Sequence, residues 1–175
     1  MSDKITLSRL NEMPTAEAAA VCGGFFENSP WIVETALDER PFGSIEAFRR
    51  ACMRVIREAP EEEQVALIRA HPDLVGRLAR EGRLTRESTA EQAAAGLDAL
   101  REEEIERFES YNRAYKERFG FPFVICARQN KKEAILEAFP KRLEQDRTSE
   151  IETALREIGE IAGLRMADAL TEKEE

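Results

Sequence analysis

The chain has 175 residues, of which 42% are hydrophobic and 35% are charged, and its formal net charge is −9. This composition predicts one soluble globular domain over residues 1–175, which ends in a charged C-terminal tail, and argues against a disordered or membrane-spanning chain. The acidic balance also argues against general binding to nucleic acid or to anionic membranes.

Cysteine and histidine usage restricts the kinds of site that the chain can hold. Its three cysteines, Cys22, Cys52 and Cys126, are widely spaced and form no CxxC motif. This usage is typical of a reducing compartment rather than of a disulfide framework. One histidine without a cysteine cluster argues against a zinc site. The first residues show no signal peptide, so we expect a cytoplasmic protein.

Apolar spacing predicts helices along almost the whole chain. Ser29 and Pro30 are a good N-cap and first-turn pair for an early helix. The next helix is predicted in "SIEAFRRACMRVIREAP", where residues three or four apart form one apolar face. That face consists of Ile45, Phe48, Cys52, Val55 and Ile56.

The single histidine follows the next predicted helix. "PEEEQVALIRA" has three acids in its first turn and should end before Pro72, because the residue before a proline disfavours the α region. That residue is His71, which is therefore expected on a bend, where side chains often face a cleft. It is either a surface side chain or a proton donor, since its ordinary pKa lies near neutrality. Asp73 can cap a short helix, "LVGRLARE", which Gly82 can end.

Two polar residues in "ESTAEQ" allow two interpretations. Ser88 and Glu91 have the spacing of a capping box, which would simply begin a helix. A helix N-terminus also offers free N–H groups to an anionic ligand. The chain from Leu84 is predicted as a short helix and then a long one, which Gly120 closes.

The segment "FPFVICARQN" interrupts the helical pattern. We predict an irregular, buried apolar segment near residues 121–128. It either fills the core or forms a wall whose unpaired backbone groups bind an amide-rich heterocycle.

The last two helices are predicted to begin at Asn130 and Ser149, each with a glutamate three residues later. Arg165 lies on the seam of the final helix, either as a snorkelling surface side chain or as a partly buried cation that pairs with a carboxylate in a pocket. The seam consists of Ile151, Leu155, Ile158, Ala162, Arg165 and Ala169. The predicted fold is all-α, a single compact domain of roughly eight helices.

Five ordered blocks resemble the OHCU decarboxylase family, the 2-oxo-4-hydroxy-4-carboxy-5-ureidoimidazoline decarboxylases of purine catabolism. They are "FFENSPWI", "LIRAHPDL", "STAEQAAAGLD", "YNRAYKERFGFPFVICAR" and "ALREIGEIAGLR", and they run from about Leu10 to Leu170. The resemblance implies an all-α fold and usually a homodimer. It also implies a decarboxylation without metal or cofactor, in which OHCU becomes (S)-allantoin with release of CO2 as the third step of urate degradation.

The resemblance also implies the site residues. His71 would be the proton donor, with Glu91 and Arg165 as further catalytic residues. The substrate, a small molecule, would contact residues in three segments: Pro72, then Ser88, Thr89, Ala90, Glu91 and Gln92, then Phe123, Val124, Ile125, Cys126 and Ala127. Some eukaryotic members carry a peroxisomal tail, whereas "LTEKEE" is not one, so the cytoplasmic expectation stands.

Two other functions stay open at this point. The chain could be a helical binding module that keeps the shape and has lost the activity, or the same fold acting on a related ureido or hydantoin compound. The joint presence of His71, Glu91 and Arg165 favours the enzyme.

Overall fold

The computed structural model describes residues 4–76 and 81–173, and most of these residues are helical. The helices are α1 (Leu7–Glu12), α2 (Thr15–Val21), α3 (Pro30–Ala36), α4 (Ile45–Glu58), α5 (Glu61–Arg69), α6 (Arg86–Ala94), α7 (Glu102–Phe119), α8 (Lys132–Leu143) and α9 (Arg147–Ala169). Short 3-10 turns cover Leu37–Glu39 and Ala127–Gln129. Two-residue strands, β1 (Ile5–Thr6) and β2 (Leu170–Thr171), pair in parallel.

The all-α prediction is confirmed. The described part of the chain has nine helices where roughly eight were predicted, because its N-terminal residues form two short helices separated by Pro14. The short helix predicted over "LVGRLARE" falls partly on residues 77–80, outside the described residues. No helix within 4–76 and 81–173 has both the length and the apolar character needed to cross a membrane.

The residues form two compact units. The first contains the chain up to Leu67 together with the residues from Gly159 onward, and the second contains Ile68–Ile158. Helices α5 and α9 supply residues to both units. The expectation of a single domain over 1–175 stays a prediction.

Helix α4 forms the centre of the first unit. The Ser44 hydroxyl accepts the Ala47 N–H at 3.0 Å and so caps the helix. The predicted apolar face is buried at Phe48, Cys52 and Ile56, which are all fully inaccessible. These residues confirm the 3.6-residue periodicity read from the sequence.

Two glycines of α9 allow close packing within the first unit. A Cβ atom at Gly159 would lie 3.0 Å from Met53 Sδ, and one at Gly163 would lie 3.0 Å from Arg49 Cδ. A larger residue at either position would therefore require the Met53 or Arg49 side chain of α4 to shift.

Aromatic side chains form the core of the second unit. Phe123 stacks on Phe139 with ring centroids 3.8 Å apart, and Tyr115 meets Phe123 edge to face at 5.3 Å. Helix α7 ends at Gly120 with φ +79°, as predicted. The chain that follows, from 121 to 127, is buried and irregular up to the 3-10 turn, which confirms the prediction for this segment.

The predicted pair of Ser29 and Pro30 is confirmed, because Ser29 is the N-cap of α3 and Pro30 its first helical residue, although the Ser29 hydroxyl donates to the Glu27 carbonyl at 2.9 Å instead of accepting a helix N–H. Two other predicted helix starts are wrong. Helix α8 begins at Lys132, and Asn130 donates from its side chain to the Cys126 carbonyl at 2.9 Å.

The second wrong start concerns α9, which begins at Arg147, before the predicted Ser149. The Asp146 carboxylate accepts the N–H of Ser149 at 2.9 Å, and this bond lowers the pKa of Asp146. Because helix interiors also contain Ser and Glu three residues apart, this spacing alone does not fix a helix start.

Candidate active site

The single histidine lies just beyond the C-terminus of α5, as predicted. The helix ends at Arg69, and the His71 N–H donates to the Ile68 carbonyl at 3.1 Å. His71 is only 8% exposed. The surface interpretation is therefore wrong, and His71 is a buried histidine on a non-helical segment.

A tight turn follows this histidine. The Gly76 N–H donates to the Asp73 carbonyl at 3.3 Å, and Val75 has a φ of +56°. A β-branched residue rarely adopts this left-handed conformation. A Cβ atom at Gly76 would lie only 2.7 Å from Asp73 Cβ, so the turn has no room for a larger residue there. The predicted contact residue Pro72, between His71 and the turn, is half-buried.

Helix α6 carries the second predicted block. It begins at Arg86, where the Thr85 hydroxyl accepts the Ser88 N–H at 3.2 Å. Ser88 and Glu91 therefore lie inside the helix, and the capping-box interpretation is wrong. Ser88, Glu91 and Gln92 are buried, at 6%, 9% and 6% exposure, whereas Thr89 and Ala90 are exposed.

Specific contacts place α6 beside the other two predicted segments. Gln92 Oε1 accepts the N–H of Val75 at 3.2 Å, which ties the helix to the turn after His71. Lys131 Nζ donates to the Ala94 carbonyl at 2.8 Å, close to the end of the apolar segment.

The apolar segment Phe123 to Ala127 is buried at every position. Burial raises the pKa of the Cys126 thiol, and the negative charges of Glu157 and Glu91 act in the same direction. Helix α6, which carries Glu91, packs against the 3-10 turn that begins at Ala127.

Several backbone groups of the apolar segment already have partners in the chain. The Cys126 N–H donates to Glu157 Oε2 at 3.2 Å, and Arg142 Nη1 donates to the Val124 carbonyl at 2.6 Å. The Val124 carbonyl and the Cys126 N–H therefore need no ligand as a partner, whereas substrate contact with this segment stays a prediction.

A buried ionic network behind this segment was missed by the sequence reasoning. Arg142 Nε donates to Glu150 Oε2 at 3.0 Å, and the Tyr115 hydroxyl donates to the same carboxylate. The Arg142 guanidinium also lies 4.2 Å from the Phe123 ring centroid. Nothing in the local pattern of "FPKRLEQ" distinguishes Arg142 from a solvated cation, so only its tertiary partners reveal its role.

Arg165 belongs to the first unit and is 6% exposed. Its Nη1 donates to Glu27 Oε2 at 3.0 Å and to the Gly24 carbonyl at 2.9 Å. The snorkelling interpretation is wrong, and a carboxylate of the chain itself pairs with this cation. Glu27, 3% exposed, lies in the block "FFENSPWI" but was not predicted as a functional residue.

A cavity of about 280 Å³ in the second unit adjoins the α6 block. Thr89 and Gln92 line it together with apolar side chains such as Leu84, Leu97 and Ile105. Among residues 4–76 and 81–173, no group of three or more His, Cys, Asp or Glu side chains is arranged to hold a metal ion.

The second unit thus brings the three predicted segments together. The turn after His71 bonds to Gln92 of α6, and α6 packs against the 3-10 turn Ala127–Gln129, which begins at the last residue of the apolar segment. Arg165 and its partner Glu27 belong to the first unit.

Comparisons with known proteins agree with the resemblance seen in the sequence. Residues 11–167 match the family model described as OHCU decarboxylase. A 2-oxo-4-hydroxy-4-carboxy-5-ureidoimidazoline decarboxylase of Haloferax volcanii is 39% identical over 165 residues, which is 94% of this chain and 96% of that protein. The mouse protein of the same name is 36% identical over 162 residues, covering 93% of this chain and 91% of its own.

Solved structures show the same fold. The crystal structure of an (S)-allantoin synthase superposes with a TM-score of 0.77 at 26% identity, over 95% of this chain and 54% of that chain. This chain therefore spans about half of that protein. An OHCU decarboxylase crystallised in the presence of (S)-allantoin superposes with a TM-score of 0.64 at 21% identity, over 87% of this chain and 95% of that one. On the family model and its full-length relatives, the chain belongs to the OHCU decarboxylase family.

Proposed function

We propose that the chain decarboxylates OHCU to (S)-allantoin with release of CO2, the third step of urate degradation. The main observation is the family match over residues 11–167, with relatives from an archaeon and a mammal that carry this activity in their names. The convergence of the His71, Glu91 and Cys126 segments within one unit supports it. The proposed activity also means that the chain binds a small molecule, OHCU, as its substrate.

The substrate can itself accept the electron pair that decarboxylation releases, so the site has to orient the substrate and donate one proton. OHCU is a five-membered ring that bears a carboxylate, a hydroxyl and a ureido arm. Loss of CO2 leaves an electron pair on C4, the ring carbon that also bears the hydroxyl, and the adjacent imine at C5 accepts that pair to give an enol-like species. C4 then becomes a carbonyl as its hydroxyl loses a proton, and C5, which bears the ureido arm, gains a proton. Delivery of that proton to one face of C5 gives a single enantiomer.

His71 is the proposed proton donor. His71 lies on a bend beyond the end of α5 and not on the helix itself. It is also buried, so a carbon that reacts beside it is shielded from solvent protons. A histidine suits this task because a general acid works best when its pKa lies near the working pH.

Glu91 and the apolar segment from Phe123 to Ala127 have complementary proposed roles. The buried carboxylate of Glu91 binds the substrate hydroxyl or orients His71. The buried segment presents an apolar wall, which favours departure of neutral CO2 and disfavours a charged carboxylate.

We keep Arg165 as the proposed cation for charge on the substrate, on the strength of the family resemblance. Glu27 and the Gly24 carbonyl fix two of its hydrogen bonds at Nη1. A guanidinium held in this way loses little further freedom when it binds an anion. Homodimer assembly, a cytoplasmic setting and independence from metal and cofactor belong to the same proposal.

A coupled optical assay tests this function. Urate is mixed with urate oxidase and the hydrolase that acts on its product, a chelator is present throughout, and this protein is added in catalytic amounts. We expect circular dichroism to show rapid formation of one allantoin enantiomer. A racemic time course identical to the enzyme-free control would contradict the proposal, and binding without turnover would identify a silent binding module.

A further inference from the structure

Two side-chain amides hold one peptide unit in the turn after His71. Asn112 Nδ2, from α7, donates to the Leu74 carbonyl at 2.8 Å. Gln92 Oε1, from α6, accepts the Val75 N–H at 3.2 Å. The Leu74 carbonyl and the Val75 N–H belong to the same peptide group, so both polar ends of that group are bonded, each by a different helix.

This peptide group is the one that decides the type of the turn. The turn runs from Asp73 to Gly76, and the Leu74–Val75 peptide is its central peptide. With φ of +56°, Val75 adopts the conformation of the third residue of a type II turn, where glycine or asparagine is usual. Rotation of this peptide by about half a turn would give the type I form, which valine prefers.

The amide pair opposes that rotation. Rotation would turn the Leu74 carbonyl away from Asn112 and the Val75 N–H away from Gln92, leaving buried polar groups without partners. Asn112 is only 5% exposed. One helical turn later on α7, Lys116 Nζ lies 2.6 Å from Asp73 Oδ2, so the same helix also holds the start of the turn.

We propose that Asn112 and Gln92 form an amide clamp that positions His71, with Asn112 acting only through the backbone and not on the substrate. The clamp lies three residues beyond His71, and Pro72 stiffens the chain between them. On this basis the Oε1 atom of Gln92 serves the enzyme's own backbone, although the family resemblance places Gln92 among the substrate contacts. The consequence for catalysis rests on the proposed function of His71.

Nuclear magnetic resonance of the wild-type protein tests the clamp without any substitution. The Val75 amide should exchange with solvent at least about 100-fold more slowly than an unbonded amide, because its N–H is buried and bonded. Exchange at the rate of an open loop would overturn the clamp.

Substitutions then test its effect on His71. Asn112→Asp keeps the size but replaces the donor with an acceptor, and Asn112→Leu removes the amide. Because the chain has one histidine, its imidazole signals are unambiguous. We expect both variants to shift or double these signals and to lower kcat by about 10–100-fold with little change in KM, as for a misplaced catalytic group.

Asn11→Leu is the matched control. The Asn11 amide bonds both the carbonyl and the N–H of Phe42, at 2.9 Å and 2.8 Å, so its loss has a similar structural cost in the first unit. It should leave the His71 signals and kcat unchanged. If the Asn112 variants match this control, the positioning role is wrong. If the wild type does not turn over OHCU, the proposed function fails, while the exchange and imidazole measurements still decide the clamp.

Discussion

At the scale of single residues, substitution of a buried side chain affects the stability of the protein as well as its activity. The family resemblance implies a catalytic role for Arg165, so its replacement tests activity. The structure also buries it against Glu27, and removal of one partner of a buried ion pair leaves an uncompensated charge. Replacement of Arg165 therefore tests stability as well.

Arg165→Met should destabilise the protein by about 3–5 kcal/mol, the usual cost of breaking a buried pair. The double variant with Glu27→Gln should lose less than the sum of the two single losses, because the second change removes the stranded charge. Urea unfolding of the four proteins measures this coupling. Additive losses would show that the two side chains act independently.

Activity gives Arg165 a second test, which uses Arg165→Lys. Lysine keeps the charge but cannot reproduce the planar fork of the guanidinium. We expect kcat/KM to fall at least about 10-fold in the fraction that stays folded, equivalent to about 1.4 kcal/mol. Wild-type turnover by this variant would remove Arg165 from the proposed machinery.

His71 is the proposed proton donor of the reaction. His71→Ala and His71→Asn should both lower kcat by about 10²–10⁴-fold, the usual contribution of a general acid. Asparagine fills more of the buried space, so it controls for a cavity. If both variants keep more than about a tenth of wild-type kcat, His71 is not the proton donor.

At the scale of elements, the sequence predicted regular structure better than its boundaries. Apolar periodicity located α4 and α9, and Gly120 marked the end of α7, because these signals are local. The predicted starts at Asn130 and Ser149 were wrong, since Ser, Asn and Glu at a spacing of three also occur where no helix begins. The end of α5 before His71 was right because the restriction that Pro72 imposes is steric and local.

The irregular segment depends on partners that no local pattern could reveal. Its Val124 carbonyl is held by Arg142, which in turn pairs with Glu150, 0% exposed. These contacts join residues 18 and 8 positions apart that lie on different elements. The sequence therefore predicted that the segment is buried and irregular, but not what holds it in place.

Arg142→Met should affect both stability and substrate binding. It removes the donor to Val124 and leaves the Glu150 carboxylate buried without its cation, which should cost about 3–5 kcal/mol. Because the wall then loses its fixed position, KM should rise. Thermal unfolding and steady-state kinetics measure the two effects, with the exposed Arg50→Met as the control. A variant equal to this control would show that the network does not support the wall.

At the scale of the whole molecule, buried thiols make stability depend on alkaline pH. Burial raises the pKa of Cys22 from 9.0 to about 12 and raises that of Cys52 further. A group whose pKa is raised by folding contributes stability that is fully present below its unfolded pKa. That stability is lost as the pH rises from 9.0 towards the folded value.

The free energy of unfolding should therefore fall between pH 8 and pH 10, by about 1.4 kcal/mol per thiol at one pH unit above the unfolded pKa. Cys22→Ala should lose less over this interval than the wild type, whatever its stability at pH 8. Urea titrations at both pH values give the comparison. An equal loss in the two proteins would show that the Cys22 thiol does not contribute.

The most direct measurement of the central claim follows the carbon atoms of the reaction. Urate labelled with ¹³C at every ring carbon is converted in the cuvette by urate oxidase and the hydrolase, and ¹³C spectra are recorded after catalytic amounts of this protein are added. We predict that the OHCU signals disappear at a rate proportional to the amount of protein, with one labelled carbon appearing as CO2 or bicarbonate and four in allantoin. Disappearance of OHCU at the same rate with and without the protein would contradict the assignment.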